Sequence, residues 1–353
     1  MQEITCSIFD SDALEVLRKR QRVDPHRIRL LQRAAFRKFE SDAAIQRLVP
    51  FDKALQLHHL EFAQRCDSSI DGATKFLLRT ANGMLIESVL LRIASGRTTL
   101  CVSSQVGCAA ACDFCATGKM GVAHNLAAAE ILDQVLLAGQ LLRTESRLLR
   151  NIVFMGMGEP FHNEDQLFNA LEQLTSPTYF DHPPSRILVS TVGVTEGMIR
   201  CAKRFPDVNL AVSLHSINQA TREKLIPLAR KHPLDELRSA IEEVNHQQVM
   251  IEYLMLRDLN DSIDDARTLI EWLRGLDVHV NLIPFNAIED APHLVASDKA
   301  TMADFSETLK SAGVKTTTRY SLGSDIAAAC GQLVQQKNRE IARSLATQST
   351  ADG

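Results

Sequence analysis

The sequence predicts an α/β protein: a partial barrel of about six β/α units preceded by a small helical domain. Three observations carry this prediction. From Leu100 onward, short β-branched runs alternate with longer stretches of helical period, the pattern of parallel strands joined by crossover helices. Before about Lys75, apolar residues recur three and four apart, as on one face of a helix. With 353 residues and 45% hydrophobic composition, the chain can fill one barrel-sized core and a smaller element.

Residues 1–75 carry the helical pattern in Leu14 and Leu17, in Leu30, Leu31, Ala34 and Ala35, and in Ile45 and Leu48, with Pro25 and Pro50 as breakers. They are expected to form a helical accessory domain. The second domain, residues 76–340, opens with "KFLLRT" and "MLIESVLLRI" around the turn "ANG", a hairpin signal. Seven strand runs follow: "TLCVSS", "NIVFMG", "RILVST", "NLAVSL", "VMIEYLML", "VHVNLIPF" and "VKTTTRY". Helical patterns begin near Leu126, Glu164, Thr195, Pro233, Ile263 and Asp298. Residues 341–353 show no apolar period and are expected to be a disordered tail. In such a barrel, chemistry belongs to the loops at the carboxyl ends of the strands.

The first twelve residues, "MQEITCSIFDSD", are polar and acidic, and the longest apolar stretch, from Leu126, is interrupted by Glu130, Asp133 and Gln134. No membrane association and a cytoplasmic location are therefore expected. In that reducing compartment eight cysteines point to metal or thiol chemistry rather than to a disulfide framework. A formal charge of −4 announces no nucleic-acid partner, yet residues 18–38 hold nine Lys or Arg against one Asp. That helical segment is either a phosphate-gripping face or a solvated one.

"CVSSQVGCAAACDFC", residues 101–115, concentrates four of the cysteines. Cys108, Cys112 and Cys115 are spaced C-x3-C-x2-C on the loop after the first core strand. Three thiolates there can hold three irons of a 4Fe-4S cluster and leave the fourth iron open to a small molecule. Structural zinc is the rival: it wants four ligands, with Cys101 or His124 as the candidate fourth, but the paired C-x2-C spacing is absent. Later strand ends add polar groups: Gly158 and Glu159 in "MGMGEP", Ser190 in "VST", Ser213, Leu214 and His215 in "SLH", and Asn286 in "PFN". Gly158 would let backbone approach a ligand, and Glu159 could receive an ammonium group.

The cysteine spacing in this context resembles the radical S-adenosylmethionine (SAM) superfamily. More narrowly, "CVSSQVGC", "FCATG", "GMGEP", "SLH", "IEYLML", "NLIPFN" and "AACGQL", in this order from about Ile86 to Leu333, resemble the RlmN/Cfr family of radical SAM RNA adenine methyltransferases. The resemblance implies a radical SAM barrel and one 4Fe-4S cluster on Cys108, Cys112 and Cys115. It also implies SAM contacts at Gly158, Glu159, Ser190, Ser213, Leu214, His215 and Asn286, with two SAM used per turnover. Cys330 matches the cysteine that becomes S-methylated, and Cys101 the one that resolves the protein–RNA adduct through a transient disulfide with Cys330. Glu87 in "LIESVLL" matches the family's proton acceptor, although an extra residue separates it from Cys101 and its position otherwise reads as an exposed hairpin glutamate. The expected substrate is carbon 2 of an adenosine in 23S ribosomal RNA, with transfer RNA as a further substrate. The alternatives are carbon 8, as in the antibiotic-resistance branch, the same cofactors used on a different substrate, and a non-catalytic zinc-bearing RNA-binding module. A flavodoxin-like electron donor and a monomeric state complete the expectation. "GSDI" and "PFNAI" depart from the family's usual wording, and residues 1–75 align with no motif of its RNA-contacting domain.

Overall fold

The computed structural model describes residues 5–51, 54–121, 123–244, 248–333 and 338; the expected tail, 341–353, lies outside them. Strand β1 (Cys6–Ser7) leads into α1 (Ser11–Arg20), α2 (Pro25–Gln32) and α3 (Asp42–Gln46), and β2 (Leu55–Gln56) returns to pair with β1 in parallel. Local chemistry sets the starts of the first two helices. The Asp10 carboxylate accepts from the amides of Asp12 and Ala13, and Asp24 caps α2 ahead of Pro25, which lacks the N–H that a first helical turn cannot use. The basic segment is partly tied down: Arg18 pairs with Glu15 at 2.6 Å and Arg37 with Asp181 at 3.0 Å. Phe36 stacks on Tyr179 and Phe180 with ring centroids 5.2 and 4.9 Å apart, so the helices share their core with the barrel.

The barrel part runs β3 (Glu61–Asp67), β4 (Ala73–Arg79), β5 (Leu85–Arg92), β6 (Thr98–Cys101), β7 (Gln105–Gly107), α4 (Ala116–Lys119), β8 (Ala123–Asn125) and α5 (Ala128–Thr144). It continues with β9 (Asn151–Phe154), α6 (Glu164–Thr175), β10 (Ile187–Thr191), α7 (Thr195–Arg204), β11 (Asn209–Ser213), α8 (Gln219–Leu225) and α9 (Leu234–Glu243). β12 (Val249–Met255), α10 (Ile263–Leu273), β13 (Val278–Pro284), α11 (Lys299–Ser311) and β14 (Lys315–Thr318) complete it. Ten strands form one sheet in the order β3-β4-β5-β6-β9-β10-β11-β12-β13-β14. It is parallel from β6 to β14 and antiparallel from β3 to β6. All seven predicted core strands and the hairpin are present.

One expectation needs correcting. The helical pattern assigned to residues 1–75 does not extend to Glu61–Asp67, which is the edge strand β3. Its side chains are mostly exposed, so no apolar alternation marked it; the unpaired edge of β4 imposes the strand.

Register decides which side chains share the sheet's inner face. Glu87 and Val89 alternate on β5, Val89 pairs with Cys101, and Cys101 with Val153. The pairings continue from Val153 by Leu188 to Ser190, and then through Ser213, Glu252, Asn281 and Thr317. Because side chains alternate strictly along a strand, this row of polar groups and Cys101 lies on one face. The opposite face packs on helices: Ser88 donates to Gln134 of α5 at 2.5 Å.

Candidate active site

The loop with Cys108, Cys112 and Cys115 is held by backbone, once to α8 and once within itself. Asp113 N–H donates to the Leu225 carbonyl at the end of α8 (2.8 Å), and Cys115 N–H to the Cys112 carbonyl (3.2 Å). The Asp113 carboxylate takes His293 at 2.7 Å and also Lys119. Gly118 explains the small residue in "FCATG": a Cβ there would lie 2.8 Å from the Cys112 nitrogen. Cys108 and Cys112 are buried in an apolar cluster with Leu225, Ile226, Leu254, Ile283 and Phe285, and Cys115 packs against it. Burial pushes the Cys108 thiol up to about 12 and the Cys112 thiol well above its ordinary range. Free thiolates are therefore disfavoured, and metal ligation is what would stabilise them.

These residues fit a cluster better than a single ion. Three thiols on one loop, with no fourth protein ligand beside them in sequence, are the donor set of a cluster that keeps one iron open. Neither candidate for a fourth zinc ligand is set aside for that job. His124 is exposed on β8, paired across to Val106, and the thiol of Cys101 interacts with Cys330.

Glu159 is buried near this loop, and both Cys108 and Cys112 respond to its charge. Its carboxylate accepts from Val192 N–H at 2.8 Å and Phe161 N–H at 3.1 Å. Burial pushes its pKa up to about 7 against those hydrogen bonds, so a cation arriving there would be welcome. Gly158 has φ +108°, and a Cβ would fall 2.7–2.8 Å from Gln105 and Ser104. The close approach this glycine permits is thus to the neighbouring β6–β7 backbone.

His215 adopts φ +57° and is buried. Its Nδ1 accepts from Leu254 N–H at 3.0 Å, its carbonyl accepts from Asn260 at 2.6 Å, and its ring meets Phe114 of the cysteine loop edge-on at 4.7 Å. Burial, then Arg222, push its pKa down to about 3, so the ring is neutral. Leu214 is fully buried, its N–H donating to the Glu252 carbonyl and its own carbonyl accepting from Ser216. Ser190 and Ser213 are half-buried on the inner face.

Cys101 and Cys330 lie within electrostatic reach of each other. Each thiol is raised by the surrounding protein, Cys101 is raised further by Cys330, and Arg319 lowers both. Cys101 also receives a hydrogen bond from the Met155 backbone. Cys330 stays open to solvent on a loop tied to the site: Asn286 donates to its carbonyl at 3.1 Å, and Ala116 N–H to the Gly331 carbonyl at 2.8 Å. Cys115 is close enough to raise the Cys330 thiol. All eight cysteines are free; the disulfide that the resemblance implies between Cys101 and Cys330 is a transient one.

Glu87 is not the exposed hairpin residue its sequence position allowed. It is buried on the inner face and pairs with Lys75 at 3.2 Å, while Lys75 also reaches the Ala327 carbonyl near Cys330. Sequence reasoning missed the Arg319–Glu252 pair at 3.2 Å, where Asn281 also donates to Glu252 at 3.1 Å. Arg319 follows β14 directly, next to last in the run "VKTTTRY", and a charged residue just past a strand end was the available signal. It missed Arg222 too, which sits among Glu223 and Lys224 in "TREKLIP" and looks solvated there.

A match to the radical SAM superfamily spans residues 102–273. A probable RNA methyltransferase of Rhodopirellula baltica is 58% identical, covering 98% of this chain and 92% of that protein. A probable dual-specificity RNA methyltransferase RlmN of Thermus thermophilus is 41% identical over 77% of each chain. The crystal structure of a radical SAM methyltransferase from Sphaerobacter thermophilus, 37% identical, superimposes with a TM-score of 0.86 over 94% of this chain and 98% of that one. With the cysteine loop and the "GMGEP" strand end in place beside these likenesses, the chain belongs to the RlmN/Cfr family of radical SAM methyltransferases.

Proposed function

We propose that this enzyme methylates carbon 2 of an adenosine in 23S ribosomal RNA, with transfer RNA as a second substrate, through a methyl group carried on Cys330. The observation that supports the reading is that Cys101 and Cys330, 229 positions apart in the chain, lie within electrostatic reach of each other, and Cys330 within reach of Cys115 of the cysteine loop. Bound to the three loop cysteines, a reduced 4Fe-4S cluster with SAM supplies methyl groups and a hydrogen-abstracting radical.

The chain's own residues do the rest. Cys108, Cys112 and Cys115 hold the cluster, while Glu159, Ser190, Ser213, His215 and Asn286 and the backbone of Gly158 and Leu214 line the SAM site. Cys330 gives up its thiol proton and takes a methyl on sulfur, helped by the positive charge of Arg319. After one hydrogen atom has left that methyl, its carbon radical bonds to the adenine ring, the adduct gives up one electron to the redox centre that the loop cysteines would hold, and the RNA is tied to Cys330. Glu87, held against Lys75, takes the ring proton. The Cys101 thiolate then attacks the Cys330 sulfur: an S–S bond forms, the S–C bond breaks with its electron pair on carbon, that carbon takes up a proton to become the methyl group, and the base leaves; an external dithiol reduces the disulfide before the next turnover. Two SAM are consumed, one for the methyl and one for the radical. A small electron-transfer protein such as flavodoxin reduces the cluster, and the chain acts as a cytoplasmic monomer. No helix among the described residues is long and apolar enough to cross a membrane.

Nucleoside analysis of RNA from cells with and without the gene tests the reading, together with mass spectrometry of the purified chain. The expected outcome is a 2-methyladenosine signal that depends on the chain and a gain of about 14 Da on Cys330. An 8-methyladenosine signal moves the target carbon, and an unmodified Cys330 after exposure to SAM overturns the carrier assignment.

A further inference from the structure

The cysteine loop stands over a cation that no motif announces. Arg222, in α8, has no solvent exposure. Its hydrogen bonds go to carbonyls, Nη2 to Val192 at 2.7 Å and Nη1 to His232 at 3.3 Å, and its Nε is buried without a partner. Gly193, with φ +105°, makes room for it, since a Cβ there would lie 3.0 Å from Nη2. A guanidinium buried among neutral acceptors is costly unless an anion compensates it.

The cysteine loop is where the anion can come from: Leu225, three residues after Arg222 on α8, shares a buried apolar cluster with Cys112, and the Cys112 thiol responds to Arg222. His215, whose ring is held neutral, also lies within electrostatic reach of Arg222. Backbone contacts make cation and loop one unit. α8 ends at Leu225, whose carbonyl receives the Asp113 amide, and Val192 gives its N–H to Glu159 and its carbonyl to Arg222.

We propose that Arg222 is the buried counter-charge of the iron–sulfur cluster, a positioning residue that favours binding of the anionic thiolate loop and raises the cluster's reduction potential. The proposal rests on the reading that Cys108, Cys112 and Cys115 hold the cluster. A fixed cation beside one thiolate favours the extra electron, because cluster potential follows local charge and hydrogen bonding at the sulfurs. None of the steps assigned above uses Arg222, and its position requires no contact with RNA.

The test compares the full-length wild type, Arg222→Met and Arg222→Lys after anaerobic reconstitution. Iron and sulfide are counted, and the potential is read by EPR-monitored redox titration. Arg222→Met, loaded with cluster, should be reduced about tenfold less readily, a fall of about 59 mV for one electron, while Arg222→Lys stays near wild type. A loaded Arg222→Met with unchanged potential overturns the proposal. If Arg222→Met takes up no cluster, Arg222→Lys decides: loading at the wild-type potential supports the counter-charge, and failure to load overturns it. A wild-type chain that binds no iron removes the underlying reading instead, before any variant is compared.

Discussion

Asp133 lies fully buried in α5 and clamps the N-terminal segment to the back of the sheet. Its Oδ1 meets His58 Nδ1 at 2.6 Å, and its Oδ2 accepts the amides of His59 and Leu60 at 2.7 and 2.8 Å. His58 Nε2 reaches Asp42 at 3.0 Å, so one imidazole bridges α5 and α3. Asp133→Ala leaves the ring and both amides without their acceptor. Breaking such a buried pair costs roughly 3–5 kcal/mol. With a urea dependence of about 3 kcal/mol per molar, the unfolding midpoint should fall by about 1–2 M. Burial alone would push His58 down, but its hydrogen bonds to Asp133 and Asp42 outweigh that and hold it at about 10 against an ordinary 6.5. Since the folded ring keeps its proton more tightly, the contribution is complete below pH 6.5 and is lost as pH rises towards about 10. At about 1.36 kcal/mol per pH unit its ceiling is roughly 4–5 kcal/mol. The assay is urea unfolding followed by circular dichroism, for wild type, Asp133→Ala and His58→Gln, from pH 6.5 to 9.5. The gap between wild type and His58→Gln should narrow as pH rises. An Asp133→Ala midpoint within about 0.3 M of wild type, or a gap that stays constant with pH, would refute the clamp.

Three further outcomes concern the chemistry. Cys101→Ala should allow methylation of Cys330 and attack on RNA yet leave RNA covalently attached, read as a shifted protein band sensitive to nuclease; free methylated RNA at the normal rate would count against the resolving role. Cys330→Ala should lose methyl transfer while keeping its iron, and an active variant would remove the carrier. Because the protein raises the Cys330 thiol while Arg319 opposes that rise, methylation of Cys330 should quicken about tenfold per pH unit across neutral pH, and Arg319→Met should slow it on the order of tenfold at fixed pH. A flat pH profile would show that thiolate formation does not limit this step.

The strand runs and helical periods were legible because parallel strands buried on both faces and their crossover helices repeat the same local apolar pattern at each turn of the barrel. The cysteine loop was legible because three thiols within eight residues are brought together by local chain geometry alone. Tertiary structure decided everything that depends on charge in a dry setting. Glu87 became buried and paired with Lys75, Arg319 came to act on both Cys101 and Cys330, and Arg222 lost its solvent beneath Cys112. In one dimension these are ordinary charged residues among others. Their properties come from desolvation and from neighbours supplied by strands and helices tens to hundreds of residues away, which no local pattern encodes.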